Sequence, residues 1–365
     1  MGVRDTVNHH LDLAELERPM LEDALAARGQ ERFRARQIFA WIYGRGVTDP
    51  SAMTDLSREL RAALEAEFTL TTPTVVARER SSDGTEKFLL QLADGRQIES
   101  VFIPDTPAMT FCVSTQVGCA MACAFCLTGK MGLVRNLTAG EIVGQVRVLA
   151  DALSLRGKPF NIVLMGMGEP LHNYDETMKA LRILADKQGL AVPPRRVTLS
   201  TVGILPALER LAREPILPNL AISLHAPTDA IRAELVPLNR RYGVADIIAA
   251  CKRFPVRNRS RITFEYVLLA GVNDSPDDAR QLARSLAGVK SKVNLIPLNA
   301  AAGIPFERPS DRAINLFAKT LADRGLTVSV RKSRGRDIRA ACGQLIVEGQ
   351  RQSPAQKLAR VAFST

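Results

Sequence analysis

From residue 111 onward the chain repeats one pattern: a short run rich in Val, Ile, Leu and Phe, then a longer stretch whose apolar residues recur every three to four positions. Strand-like runs fall at residues 111–117, 161–165, 196–201, 220–225, 261–268 and 292–297, and helical patterns at 139–154, 175–187, 204–213, 244–254, 276–287 and 311–324. Strands separated by helices do not pair as hairpins. Each helix carries the chain back to the same end of the sheet, so six βα units in series dictate a parallel sheet with right-handed crossovers. Periodicity admits either a doubly wound sheet or a closed or partial barrel. A further run at 327–332 reads as a strand outside the six units.

Two different patterns precede the repeat. Apolar stripes over the first seventy residues (Leu21, Ala24, Leu25; Phe33, Ile38, Phe39, Trp41, Ile42; Met53, Leu56, Leu60, Leu64) predict a small helical domain, residues 1–70. Residues 71–105 alternate in short runs separated by Ser-Asp-Gly and Ala-Asp-Gly-Arg, which predicts a β-meander ending at the prolines 104 and 107. The α/β domain then occupies 106–348, and 349–365 is a tail without motif. No run reaches the ~18 apolar residues of a membrane helix, and Met1 to Leu11 carries no signal-peptide core, so a cytoplasmic protein with no membrane association is expected. With 49 Lys and Arg against 38 Asp and Glu, the net charge of +11 favours a polyanionic partner.

Three of the six cysteines lie in one loop, Gly118-Cys119-Ala-Met-Ala-Cys123-Ala-Phe-Cys126, immediately after the first strand of the α/β domain. Three thiolates from one short loop suit an iron–sulfur cluster. Structural zinc asks for a fourth ligand, and no Cys or His follows closely. A [4Fe–4S] cluster held by three cysteines leaves one iron open to a substrate. The C-x3-C-x2-C spacing, with aromatic Phe125 before the last cysteine, resembles the signature of the radical S-adenosylmethionine (SAM) enzymes. That resemblance implies a partial (β/α)6 TIM-like barrel. It also implies that the open iron chelates SAM and that an electron from the cluster cleaves it to a 5′-deoxyadenosyl radical. Met165-Gly-Met-Gly-Glu169-Pro170 is similar to the segment that meets the SAM amino group in such enzymes, which assigns Gly168 and Glu169 to it. Ser200, Ser223, Leu224, His225 and Asn299, at the ends of later strands, fall where ribose and adenine would lie. Taken alone, His225 reads as a structural histidine.

The likeness narrows further. Phe111-Cys112-Val-Ser-Thr-Gln-Val-Gly-Cys119, the Met165 segment, Leu199-Ser-Thr201, Ile222-Ser-Leu-His-Ala226 and Arg339-Ala-Ala-Cys342-Gly-Gln-Leu345 resemble the RlmN/Cfr family of RNA adenine methyltransferases, from about residue 33 to 345. The family's chemistry explains two extra cysteines. C2 of adenine is an electron-poor carbon and does not displace the methyl of SAM, so a relay is required. A thiolate accepts the methyl from a first SAM; a radical from a second SAM removes one of its hydrogens, and the resulting carbon radical adds to the base. A second thiol then resolves the protein–RNA adduct by forming a transient disulfide with the relay sulfur. The resemblance assigns methyl acceptance to Cys342, resolution to Cys112, and proton acceptance to Glu99, with Cys112 the alternative base. Cys251 reads as a buried apolar residue of a helix.

The implied partners are 23S rRNA and tRNA, with a reducing donor such as flavodoxin, and the expected state is a monomer. The alternative regiochemistry is C8. Rivals of other classes are an iron–sulfur protein that binds RNA or carries electrons without catalysis, which would need a fourth ligand, and a radical SAM enzyme acting on a small molecule, which the charge disfavours. Basic residues at Arg195-Arg196, Arg240-Arg241, Arg257, Arg259, Arg261 and from Arg331 to Arg339 are expected at the mouth of the barrel to neutralise phosphates.

Overall fold

The computed structural model describes residues 10–106 and 108–347, so the tail at 349–365 lies outside the described residues. Ten strands form one sheet: β1 (Thr74–Arg80), β2 (Glu86–Gln91), β3 (Gln97–Thr106), β4 (Ala108–Cys112), β5 (Asn161–Leu164), β6 (Val197–Thr201), β7 (Asn219–Ser223), β8 (Ile262–Leu268), β9 (Ser291–Pro297) and β10 (Thr327–Val330). Their spatial order is their sequence order. A doubly wound sheet reverses its strand order once, and this one never does, so the choice left open by periodicity falls to the partial barrel. Strands β1 to β4 are antiparallel to one another, and β4 to β10 are parallel.

The structure corrects the expected strands in three places. The run at 111–117 is split: β4 ends at Cys112, and Gln116–Gly118 forms a separate antiparallel ribbon with Leu133–Asn136. The run at 327–332 joins the sheet as β10, paired in parallel with β9. Pro104 does not interrupt the sheet. β3 runs through Pro104 and pairs with β4, and the register shifts between Ile103 and Thr106, where proline has no N–H to give the ladder. The meander and the barrel are therefore hydrogen-bonded as one sheet.

Helices cover the outer face, each started by a local signal. Thr138 caps Ala139–Ala152 by accepting from the Glu141 N–H at 3.2 Å, while the Glu141 carboxylate returns a bond to the Thr138 N–H at 3.0 Å. Ser275 and Asp278 cap Pro276–Ser285 in the same way, and Ser310 caps Asp311–Ala322 by accepting the Ala313 N–H. A short helix that the periodicity did not reveal, Asp229–Leu235, follows β7; seven residues are too few to show an apolar stripe.

The N-terminal helices Arg18–Ala26, Arg34–Phe39 and Arg58–Glu67 bury Leu21, Leu25, Ile38, Phe39, Leu60 and Leu64. Their module docks on helix Ala139–Ala152, where Gly140 and Gly144 allow close approach. A β-carbon on Gly144 would lie 2.6 Å from Pro73, and Glu15 accepts the Gly140 N–H at 3.1 Å.

Candidate active site

The C-terminal ends of the parallel strands surround a cavity of about 150 Å³, and its wall gathers Cys119, Cys123, Cys126, Gly168, Glu169, Ser200, Ser223, His225 and Asn299. Leu224 does not line it. Its side chain is fully buried in the barrel core, and its N–H donates to the Glu265 carbonyl at 3.1 Å. Glu99 also lies outside the cavity, on β3.

The cysteine loop is built to hold a charged group. Desolvation pushes the Cys119 thiol up to about 12 and raises Cys123 and Cys126 as well, so bare thiolates are unfavourable here and bound iron would reverse that. Backbone N–H groups point at the sulfurs, from Met121 to Cys119 and from Thr128 and Gly129 to Cys126, as around iron–sulfur clusters. Among the described residues no three His, Cys, Asp or Glu groups converge on a single metal ion. The three thiols line one shared space beside Glu169, a donor set that suits an iron–sulfur cluster with one iron left open.

Glu169 is held rigidly beside them. Its carboxylate accepts from the Leu171 and Val202 N–H groups, both at 2.9 Å, and its own N–H donates to Gln116 Oε1 at 2.9 Å. Burial pushes its acid up to about 7, a cost that a bound ammonium group would offset. Gly168 just before it has φ +106°, and a β-carbon there would stand 2.7 Å from Gln116. His225 also takes a left-handed backbone, φ +63°. Its Nδ1 accepts the Val267 N–H at 3.1 Å, which places the ring proton on Nε2, and burial lowers its basicity to about 3. Phe125 packs edge-on against the ring at 4.7 Å.

Arg232, fully buried, ties the strand ends together. It donates to the carbonyls of Leu224 at 3.0 Å and Val202 at 2.6 Å and to Asn239 Oδ1 at 3.0 Å. Sequence reasoning missed it because it lies on the unpredicted helix. Gln116 was quoted within a motif without a role, and Glu265, the one carboxylate inside the apolar strand β8, was a signal left unread.

Cys342 completes the wall of the cavity, together with Glu265 and Arg331. The segment that carries it leaves β10 and crosses to the far edge of the sheet, fastened at every stage. Asp337 accepts from Ser81 Oγ at 2.6 Å and the Ser82 N–H at 3.1 Å, and the Gly335 N–H donates to Asp83 at 3.0 Å. Asn299 donates to the Cys342 carbonyl at 3.2 Å, the Leu127 N–H to Gly343 at 2.8 Å, and Thr128 Oγ1 to Leu345 at 2.6 Å. The last fastener is Glu99, whose Oε2 accepts the Ile346 N–H while Oε1 pairs with Lys87 at 3.1 Å.

Cys112 ends β4, where the sequence suggested it opens a strand, and lies beneath Cys342. Burial pushes its thiol up to about 12, charge on Cys342 adds to the rise, and Arg331 opposes it. All six cysteines are free, so the Cys112–Cys342 disulfide is no feature of the resting fold. Cys251 is buried on its helix, as expected.

Comparison with known proteins agrees with this geometry. Residues 113–283 match the radical SAM superfamily, and residues 11–70 match the ribosomal RNA large subunit methyltransferase N-terminal domain. The dual-specificity RNA methyltransferase RlmN of Syntrophobacter fumaroxidans is 49% identical over 331 residues, covering 90% of this chain and 96% of that protein. The protein of that name from Geobacter sulfurreducens is 48% identical over 357 residues, covering 97% and 98%. The chain belongs to the RlmN family. A solved structure, a radical SAM methyltransferase from Sphaerobacter thermophilus, superposes with a TM-score of 0.87 at 50% identity, covering 92% of this chain and 99% of that one. RlmN-family membership makes the chain a radical SAM RNA methyltransferase, a family that implies a [4Fe–4S] cluster and SAM as cofactors.

Proposed function

We propose that the chain methylates C2 of an adenosine in 23S rRNA and of an adenosine in tRNA, with Cys342 as the methyl carrier and Cys112 as the resolving thiol. One observation carries the reading: Cys342, distant in sequence, shares a single cavity with the three cysteines of the loop. When bound, the cluster and two SAM molecules per turnover supply a methyl group and a 5′-deoxyadenosyl radical. Cys119, Cys123 and Cys126 hold the iron. Gly168 and Glu169 receive the SAM amino group, Ser200, Ser223, His225 and Asn299 surround its nucleoside, and Leu224 contributes main chain alone.

The Cys342 thiol gives up its proton and its sulfur takes the methyl of a first SAM, which leaves as S-adenosylhomocysteine; after one hydrogen of that methyl has gone to the deoxyadenosyl radical of a second SAM, giving 5′-deoxyadenosine, the methylene bonds to the base. Glu99 or Cys112 accepts the ring proton. Cys112, losing its proton, then bonds through sulfur to Cys342 sulfur as the carbon–sulfur bond to the product breaks; the released methylene takes up a proton to become the methyl group, and the one surplus electron of the sulfur pair passes to a one-electron acceptor. The C2 reading is favoured over C8 by 48–49% identity to proteins of the RlmN name, and mass spectrometry of the modified nucleoside separates the two. A donor such as flavodoxin, a monomeric state and a cytoplasmic setting belong to the same reading; among the described residues no helix is long and apolar enough to cross a membrane. Residues 1–70 would widen the RNA surface.

The test is the unequal loss of the two thiols. Cys342→Ala should give neither methylated protein nor RNA product. Cys112→Ala should still load Cys342 and add to adenine, and so accumulate protein joined covalently to RNA, visible as a slow band on a denaturing gel after anaerobic turnover. Product release by Cys112→Ala at the wild-type rate, or the band in the Cys342 variant, overturns the assignment.

A further inference from the structure

The barrel lines a second cavity, of about 580 Å³, which shares Met165, Glu265 and Arg331 with the first. Much of its remaining wall comes from the beginnings of the parallel strands: Asn161 and Asn219 open β5 and β7, and Thr198, Thr263 and Lys292 are the second residues of β6, β8 and β9, while Ser329, Val330, Lys332 and Arg334 come from the end of β10 and the segment after it. It therefore opens at the N-terminal end of the barrel, opposite the cysteine loop.

This corrects the expectation that the basic residues gather at one mouth. Arg195 and Arg196 precede β6, and Arg257, Arg259 and Arg261 precede β8, so all five lie at the N-terminal end; Arg240 and Arg241 follow the helix after β7 and stand apart. The rim of the second cavity carries Arg195, Arg196, Lys292, Lys332 and Arg334, and Glu265 at the neck is its one acidic lining residue. Arg195, Lys292 and Lys332 are exposed, and Arg334 keeps a buried Nε without a partner. The rest of the wall is mostly neutral and polar, with Ile103, Val163, Met165 and Val330 as its apolar residues.

The C-terminal end, by contrast, is spanned by the protein's own chain. The segment carrying Cys342 is fastened across it to Leu127, Thr128, Asn299 and Glu99, and SAM would fill what space is left. A base that is to meet Cys342 while SAM is bound needs a separate approach, and a flipped nucleotide needs a deep slot with phosphate contacts at its rim.

We propose that RNA enters through this N-terminal cavity. Its phosphates lie on Arg195, Arg196, Lys292, Lys332 and Arg334, and its target base passes Met165 and Glu265 to reach Cys342 on the side of Arg331 away from SAM. The proposal rests on the reading of the chain as an RNA methyltransferase and adds the direction of approach.

The test uses the full, cluster-loaded chain and an RNA hairpin with an unpaired adenosine in its loop. A photo-cross-linking amino acid in place of Arg195 should capture the hairpin, and the same group in place of Arg240 should not; capture from Arg240 alone, or equally from both, overturns the route. Binding checks it independently. Replacing Arg195 and Lys292 by Ala should weaken hairpin binding by about tenfold at low salt and flatten its salt dependence by ~0.7–0.9 per lost contact. The pair Arg240→Ala and Arg241→Ala should leave both nearly unchanged, and the reverse ranking refutes the proposal. If the wild-type chain binds the hairpin and methylates no adenosine in any rRNA or tRNA fragment, the methyltransferase reading fails while the cross-link still reports the route.

Discussion

The carboxylate of Glu99 accepts the backbone N–H of Ile346 at 2.8 Å, joining β3 to a segment 247 residues further along the chain. The other oxygen is held by Lys87 at 3.1 Å, and Lys87 is shared with Glu79 at 3.3 Å. A residue assigned to proton transfer thus also fastens the segment that carries Cys342, four residues before Ile346.

The two roles separate by substitution. Glu99→Gln keeps an acceptor for the Ile346 N–H and removes the base, so Cys342 should be methylated near the wild-type rate while methylated RNA falls sharply. Glu99→Ala removes both. A lost charge-assisted bond of about 1.5–3 kcal/mol should slow Cys342 methylation itself roughly tenfold or more. Peptide mass spectrometry of Cys342 alongside nucleoside analysis reads both quantities; equal Cys342 methylation in the two variants would remove the fastening role.

Cys123→Ala should lose the iron and the brown colour of the cluster, since two cysteines do not retain a cube whose open corner is already unligated by protein. Iron analysis and the visible spectrum after reconstitution check it. A variant that stays iron-loaded and cleaves SAM contradicts the ligand assignment.

SAM affinity should rise with pH up to about 7 and then level off. The Glu169 acid is raised to about 7, so below that pH its carboxyl is protonated and must give up a proton before it can pair with an ammonium group. Affinity should fall about tenfold per pH unit on the acid side. Calorimetry of SAM binding in buffers of different ionisation enthalpy counts the released proton, and Glu169→Gln should bind more weakly and without the slope.

Arg232→Met keeps the bulk of the side chain and removes four hydrogen bonds, leaving the Leu224, Val202 and Ser223 carbonyls without this donor in the interior. The cost should be on the order of 2–4 kcal/mol. Urea denaturation of variant and parent at one pH gives the difference; a change under ~0.5 kcal/mol would mean that other donors take over the carbonyls.

The sequence by itself determined the βα alternation, because hydrophobic period and capping residues act within one element, and it determined the cysteine loop, because three cysteines within eight residues need no long-range information. Glu169, Ser200, Ser223, His225 and Asn299 were legible for a similar reason: each lies at or just beyond a strand's C-terminal end, and parallel strands bring those ends together. Only the tertiary structure decided the rest. Strand order, and with it barrel over doubly wound sheet, depends on which strands pair, and no local period encodes pairing. The sequence could not show that Leu224 faces the core, that Glu99 grips Ile346, or that Arg195 and Arg240 lie at opposite ends of the barrel. A charged residue's place is fixed by which end of which strand it adjoins, and that is known only once the strands are assembled.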